Sequence, residues 1–298
     1  MPRPLALLGL ATFLVADAVL VWAVVVKSGD DTAPPVDDVV PRTHATASVS
    51  PKPVAITASP KAPTVKPAET VLLSISRDET IAMATRQSCD AKQAVNVRVS
   101  TDLGKKFVDR QTPVTQILDL KADSRDDLTI VGTDVDCVVG SWASTDQGAT
   151  WAKLPAIAGW YVDPSRLDKV VSPKRTGKPG CDVISISATS DTFARVTCSN
   201  GTILGTGNAG KAWQDLGHLA DVRAAVFPAP GNGMALASYQ GCAAHGFTTR
   251  DGGRTWSKAG CIAGAKAQAI AYSGSTLVAI VDGGVFVSAN KGETWTQP

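Results

Sequence analysis

Hydrophobic and polar positions divide the chain into three stretches with different rhythms. Residues 5–26 are 22 apolar or small residues interrupted by one charge, Asp17. A helix of that length rises about 33 Å, enough to cross a hydrocarbon core of about 30 Å. Residues 28–70 have no apolar period and no Phe, Trp or Tyr, but carry eight prolines. Such a stretch has too little apolar surface to offset its ordering entropy. From residue 71 onward, short apolar or alternating runs recur between Gly-, Asp- and Asn-containing turns, the pattern of half-buried and inner β-strands. The expected organisation is a transmembrane signal anchor over 1–27, a disordered stalk over 28–70 and an all-β domain over 71–298.

The flanks of the apolar run orient it only weakly, with Arg3 and the amino terminus before it and Lys27 after it. Six cysteines downstream form an even set that suits an oxidising compartment, so the N-terminus is placed in the cytoplasm and the remainder outside. The membrane is then the first expected partner. A cleaved signal peptide is the competing reading, with Ala16, Asp17 and Ala18 as a small-x-small site. The apolar run continues past that site to Val26, which favours the retained anchor. Proline at the density of 28–70 favours extended polyproline II. At about 3.1 Å per residue, a stalk of up to about 130 Å follows.

Within 71–298 an eight-residue pattern repeats at 100–107, 144–151, 206–213, 249–256 and 288–295. Each copy reads Ser/Thr, any residue, Asp/Asn, any residue, Gly, then two residues and an aromatic. The framework residues are Asp102, Gly104 and Phe107; Asp146, Gly148 and Trp151; Asn208, Gly210 and Trp213; Asp251, Gly253 and Trp256; and Asn290, Gly292 and Trp295. Thr fills the seventh position in three copies, while Lys106 and Ala212 replace it in the other two. The Asp or Asn side chain suits a tight turn because it accepts hydrogen bonds from nearby backbone N–H groups. Gly allows φ > 0, and the aromatic opens the next strand against the core. These residues read as structural.

The octet resembles the Asp box, or BNR repeat, of sialidase-like, photosystem-assembly-factor-like and sortilin-like β-propellers. That resemblance implies a propeller of four-stranded blades over about three quarters of the chain. The Asp/Asn positions are 44, 62, 43 and 39 residues apart. Three intervals match one blade of about 40–45 residues, and the long one carries an insertion. Five blades are expected, with first strands at 71–76, 114–120, 183–188, 223–227 and 267–272. A sixth, degenerate blade around 160–171 is a further option.

On that plan Cys89, Cys137, Cys198 and Cys242 fall at or just past the ends of second strands. Cys181 and Cys261 precede first strands. All six then lie on one face, opposite the octet turns. Of the fifteen possible connectivities, Cys89–Cys137, Cys181–Cys198 and Cys242–Cys261 are expected. Zinc is disfavoured because no C-x-x-C occurs and the chain has three His, so neither metal nor cofactor is expected.

The same face receives the insertion 155–180, which makes it the candidate binding face. Trp160 and Tyr161 beside Asp163, Arg166, Lys174 and Arg175 form an aromatic pair next to charge, suited to a sugar, an acidic polymer or a peptide. Arg86, Asp134, Asp136 and His245 are placed on loops of that face, with Asp134 and Asp136 spaced for a hard cation. Lys+Arg exceed Asp+Glu by only 2, which leaves no broad basic surface for nucleic acid.

The resemblance to sialidases implies a sharper alternative: an arginine triad, a Tyr nucleophile with a Glu partner, and an Asp acid/base. The early F/Y-R-I-P motif is absent, and Arg77 falls at the wrong end of the first strand. Tyr161, Tyr239 and Tyr272 have no neighbouring Glu in sequence, and neither His218 nor His245 forms a triad with a Ser. The expected function is therefore a non-catalytic binding or scaffold module for an envelope protein or glycan, held at a bacterial cell surface. A sialidase-like glycoside hydrolase is the alternative.

Overall fold

The computed structural model describes residues 71–91 and 93–298. The expected anchor at 1–27 and stalk at 28–70 lie outside the described residues. Among the described residues, no helix is long and apolar enough to cross a membrane.

Strands form where apolar residues alternate, and they pair with their sequence neighbours in six antiparallel sheets. Blade 1 comprises β1 (Val71–Ile75), β2 (Ile81–Thr85), β3 (Asn96–Ser100) and β4 (Val108–Gln111). Blade 2 comprises β5 (Gln116–Ala122), β6 (Leu128–Thr133), β7 (Val139–Ser144) and β8 (Ala152–Lys153). Blade 3 has only β9 (Tyr161–Val162), β10 (Val170–Val171) and β11 (Thr176–Gly177). Blade 4 comprises β12 (Val183–Ala188), β13 (Ala194–Cys198), β14 (Thr202–Thr206) and β15 (Gln214–His218). Blade 5 comprises β16 (Val222–Val226), β17 (Gly233–Tyr239), β18 (Cys242–Thr249) and β19 (Ser257–Ile262). Blade 6 comprises β20 (Ala267–Ser273), β21 (Thr276–Val281) and β22 (Gly284–Ser288), with a single bridge from Val287 to Thr296 in place of a fourth strand.

The strands β1, β5, β9, β12, β16 and β20 each neighbour the next, and β20 returns to β1, so the sheets close into a six-bladed propeller. Radial closure leaves only short sheet edges. Side chains from both faces of each blade bury between blades. One cluster joins blades 1 and 2 through Val97, Ile117, Leu128 and Trp142, and another joins blades 5 and 6 through Leu236, Ile262 and Leu277.

Five recognisable blades were expected with a sixth, degenerate one around 160–171 as an option, and the structure takes that option within 155–180. That segment is the third blade. Trp160 donates its indole N–H to the Ser190 carbonyl, and the Ser172 hydroxyl reaches the Ala209 carbonyl in the neighbouring octet turn. At its other end the segment hands the Leu167 carbonyl to the Val183 N–H. These contacts make β9 run toward the disulfide face, in the sense of the other blades' second strands. Blade 3 thus lacks a first strand. Residues 155–160 instead cross the face of blade 2, where Ala158 N–H bonds the Ser141 hydroxyl.

The five octets are built alike. In each, the leading hydroxyl donates to the Asp or Asn Oδ1 at 2.7–3.0 Å and accepts from the glycine N–H at 2.8–3.1 Å. The same Oδ1 accepts the N–H of the seventh residue, including Lys106 and Ala212, so those departures cost the turn only a hydroxyl. In the second and fourth copies Thr150 and Thr255 also donate a hydroxyl to Oδ2 at 2.6 Å. The residue before the glycine also has positive φ, at Leu103, Gln147, Ala209 and Lys291, a feature the pattern alone did not show.

These bonds hold the Asp146 carboxyl down at about 2, chiefly through the Thr150 hydroxyl, and the Asp251 carboxyl lower still through Thr255. A depressed folded pKa gives stability that is present above the ordinary carboxylate range and lost as pH falls through the folded value. Asn208 and Asn290 occupy the same position in two other copies, so Asn fits the turn. The double variant Asp146→Asn, Asp251→Asn is expected to show a flatter fall in melting temperature between pH 4 and about 2 than wild type. Equal slopes in thermal scans across that range would refute the assignment.

Each turn also locks onto the blade before it. Gly210 meets Gly177 of β11, Gly253 meets Gly217 of β15, and Gly292 meets Gly260 of β19, with a 2.7 Å bond from Gly260 N–H to the Gly292 carbonyl. A Cβ at Gly260 would collide with the Glu293 carbonyl oxygen, which is backbone and cannot rotate away. Gly260→Ala is expected to cost about 1–3 kcal/mol, or roughly 2–10 °C in melting temperature. Gly207→Ala, where a Cβ meets open space, is expected to stay near wild type in the same scan.

Candidate functional site

The strand directions put both kinds of loop that carry cysteine on one face. The three pairs expected from the sequence are the pairs formed: Cys89–Cys137, Cys181–Cys198 and Cys242–Cys261, with Cα separations of 5.7, 5.8 and 6.2 Å. The first joins blades 1 and 2, the second ties the exit of blade 3 to β13, and the third links β18 to β19.

A central cavity of about 220 Å³ runs along the ring axis. Residues of all six inner strands line it, so the free backbone edges of those strands face its lumen. Four inner strands carry a bulge at equivalent positions, after Ile117, Val183, Val222 and Ala267. The residues at the bulges are Leu118, Ile184, Arg223 and Gln268, and they sit toward the disulfide face. A bulge bends the strand and re-aims its side chain, which brings Arg223 and Gln268 to the cavity wall. Gln268 accepts the Gly283 N–H at 2.7 Å.

Arg86 follows the end of β2 and turns into the same cavity. Its Nη2 donates to the Leu118 carbonyl at 3.1 Å, so blade 1 grips the bulge of blade 2. Burial pulls the Arg86 guanidinium below its ordinary value, partly offset by the nearby Asp119 charge. Asp119 sits one residue past that bulge, against Gly159 of the crossing segment. Burial pushes its carboxyl up to about 6, opposed by the Leu120 N–H and by Lys121 and Arg86. Nine side-chain N or O atoms are buried without a hydrogen-bond partner among the described residues, and three of them, Arg86 Nε, Arg223 Nε and Ser185 Oγ, belong to residues lining this cavity.

Of the residues singled out from sequence, Arg86, Trp160, Tyr161 and Tyr272 line this cavity. Trp160 and Tyr161 do so from within the core. They are 5% and 8% exposed, and Trp160 packs edge-on to Trp213. They offer no open aromatic face for a sugar ring. Asp163 caps its own turn, accepting from Ser165 and from the Lys169 ammonium at 2.7 Å, while Arg166 pairs with Asp168. Lys174 and Arg175 sit in the Ser172 turn on the octet side, away from the disulfide face, because blade 3 runs opposite to a loop insertion. Asp134 spends one carboxylate oxygen on the N–H groups of Asp136 and Val138, an Asx turn, and Asp136 is exposed. No metal-holding cluster occurs among the described residues. His245, expected on a loop, lies on β18, away from the axis, where it packs edge-on to Tyr239 of β17 and tilted against Phe247, and Lys258 lies over the Tyr239 ring at 4.6 Å.

Asp119, Arg223, Ser185 and Gln268 were missed. For Asp119 and Arg223 the available signal was a charge between apolar residues of an inner strand, within Gln116–Ala122 and Val222–Val226; Ser185 and Gln268 gave none. The disulfide face has one more feature. Val135 and Val138, flanking Cys137, are 61% and 58% exposed, the two highest values among the exposed large hydrophobics of the described residues.

No protein-family model matches the chain, and no curated protein matches it. Solved structures similar to it include the GH74 xyloglucanase from Xanthomonas campestris, at 13% identity and TM-score 0.44, covering 74% of this chain and 45% of that one. YCF48 bound to D1 peptide matches at 18% identity and TM-score 0.33, covering 80% and 68%. Human WBSCR16 matches at 9% identity and TM-score 0.41, covering 76% and 80%. The chain spans less than half the length of the xyloglucanase. These are likenesses of fold alone.

Proposed function

We propose that the ring is a non-catalytic binding or scaffold module that receives a protein or glycan partner of the cell envelope on its disulfide face. The observation that carries this reading is the valine pair. Val135 and Val138 stand in water on a loop pinned by Cys89–Cys137, on the face where the bulged strand ends and Arg86 shape the cavity mouth. A rigid, exposed apolar pair beside a polar cavity is the composition of a docking site. The octets belong to an Asp-box type of scaffold that positions this face, and the apolar run at 5–26 with its proline-rich stalk supports display outside the membrane.

The cavity lining also weighs against hydrolysis. Hydrolysis by a carboxylate pair needs two facing acids. The lining holds one carboxylate, Asp119, two arginines and no glutamate among the described residues. A sialidase-like set needs a third arginine and a Glu beside a Tyr.

The test uses the full chain in intact cells, with a photo-crosslinking residue at Val135 or, on the octet face, at exposed Lys211. A discrete adduct from position 135 that is absent from position 211 is expected. Adducts from 211 alone, or from neither position, would overturn the reading.

A further inference from the structure

The axial cavity contains more positive charge than its own residues satisfy. Arg86 spends Nη2 on the Leu118 carbonyl, leaving its Nε without a partner, and the buried Nε of Arg223 has no partner among the described residues either. The two enter from different sides of the ring: Arg86 reaches over the bulge of β5 in blade 2, and Arg223 projects from blade 5, three blades away. Ser185 of blade 4 adds a buried hydroxyl without a partner. A buried donor left unpaired costs more than a made bond returns, so three in one cavity call for an acceptor that reaches all of them.

The charge count sets the kind of acceptor. Two guanidiniums face one carboxylate, Asp119. The other groups acting on Asp119 are Lys121 and Asp123, which pair with each other at 2.6 Å, and the buried Tyr161 phenol stays neutral. The cavity is thus left with about one uncompensated positive charge when Asp119 is ionised. We infer that the axial cavity is a binding site for a small monocarboxylate, held between Arg86 and Arg223 with the Ser185 hydroxyl as a further donor. A volume of about 220 Å³ admits a group of amino-acid size. A planar carboxylate matches the guanidinium fork and accepts on both oxygens. A dianion would meet Asp119 at close quarters.

This inference rests on the reading of the disulfide face as the binding face, because its ligand enters from that side. It also ties affinity to pH. Asp119 repels a bound anion only while ionised, and its carboxyl titrates near 6. Binding therefore tightens as pH falls through that value, while the ligand's own carboxylate stays ionised above about 4.

The probe is N-acetylglycine, with neutral N-acetylglycinamide as control, titrated into the full chain by calorimetry or ligand-observed NMR. Saturable binding at about millimolar concentration is expected for the acid and not for the amide. Affinity is expected to rise roughly tenfold from pH 7.5 to 5.0 in wild type and to stay flat in Asp119→Asn. Arg223→Gln is expected to weaken it roughly tenfold, and Arg250→Gln on the octet face to leave it unchanged. Equal binding of acid and amide, indifference to Arg223→Gln, or no saturation of wild type below about 100 mM would overturn the inference. If the Val135 adduct persists while the acid fails to bind, only this inference falls. If the acid binds and the adduct is absent, the docking proposal falls instead.

Discussion

Reducing the three disulfides is expected to strip about 10 kcal/mol from the stability of the ring. The bonds close separate loops of 48, 17 and 19 residues. On the chain-entropy model these contribute about 4, 3 and 3 kcal/mol, and loops that do not nest add. Folded domains hold about 5–15 kcal/mol in all, so the reduced ring should be at the edge of unfolding at room temperature. The architecture sharpens this. Blade 1 is built wholly from the first strands of the domain and blade 6 wholly from the last, so the ring closes between β20 and β1 by side-chain packing. That seam consists of Val71, Met83, Ala269 and Ile280 on one level, and Ile75, Ile81, Ala271 and Val278 on the next. No disulfide crosses it. Denaturant titrations with and without reductant test the total. Single-pair variants such as Cys89→Ser with Cys137→Ser should show the largest individual loss. A reduced ring that unfolded at the oxidised midpoint would show that packing alone holds the blades.

The second large effect concerns a single carboxyl. Burial raises Asp119 from its ordinary value to about 6, so the folded ring favours the protonated acid. Such a group's contribution is full below about pH 4 and is lost as pH rises through 6. At 1.36 kcal/mol per pKa unit, the loss approaches about 3 kcal/mol by pH 7.5. Asp119→Asn keeps the shape and removes the charge. It is therefore expected to be more stable than wild type at pH 7.5 by up to about 3 kcal/mol and close to it at pH 4. Urea midpoints for both proteins at the two pH values decide the matter. A variant less stable than wild type at pH 7.5 would mean that the ionised carboxylate is a needed partner of Arg86.

How far the sequence could be read depended on whether a feature repeats. The octets announce themselves because a turn needs the same atoms each time: a hydroxyl at the first position, an amide or carboxylate oxygen at the third, and a glycine at the fifth. Their spacing then orders the blades, and strand polarity assigns each cysteine to a face, which is why the disulfide partners followed without coordinates. Blade 3 was legible only as an option around 160–171, for the opposite reason. Its strands are two residues long, too short for alternation to register, and its lack of a first strand reverses the direction in which Lys174 and Arg175 point. The axial site escaped because it is assembled from residues far apart in the chain. Arg86, Asp119, Ser185 and Arg223 each sit alone within their own blade, and only closure of the ring puts them around one cavity. Local chemistry thus decided the turns, the blade count within one and the sulfur pairing. Burial, charge balance and the set of residues that line the axial cavity were decided by tertiary closure, because those properties depend on what stands across the axis and not on what stands next in the chain.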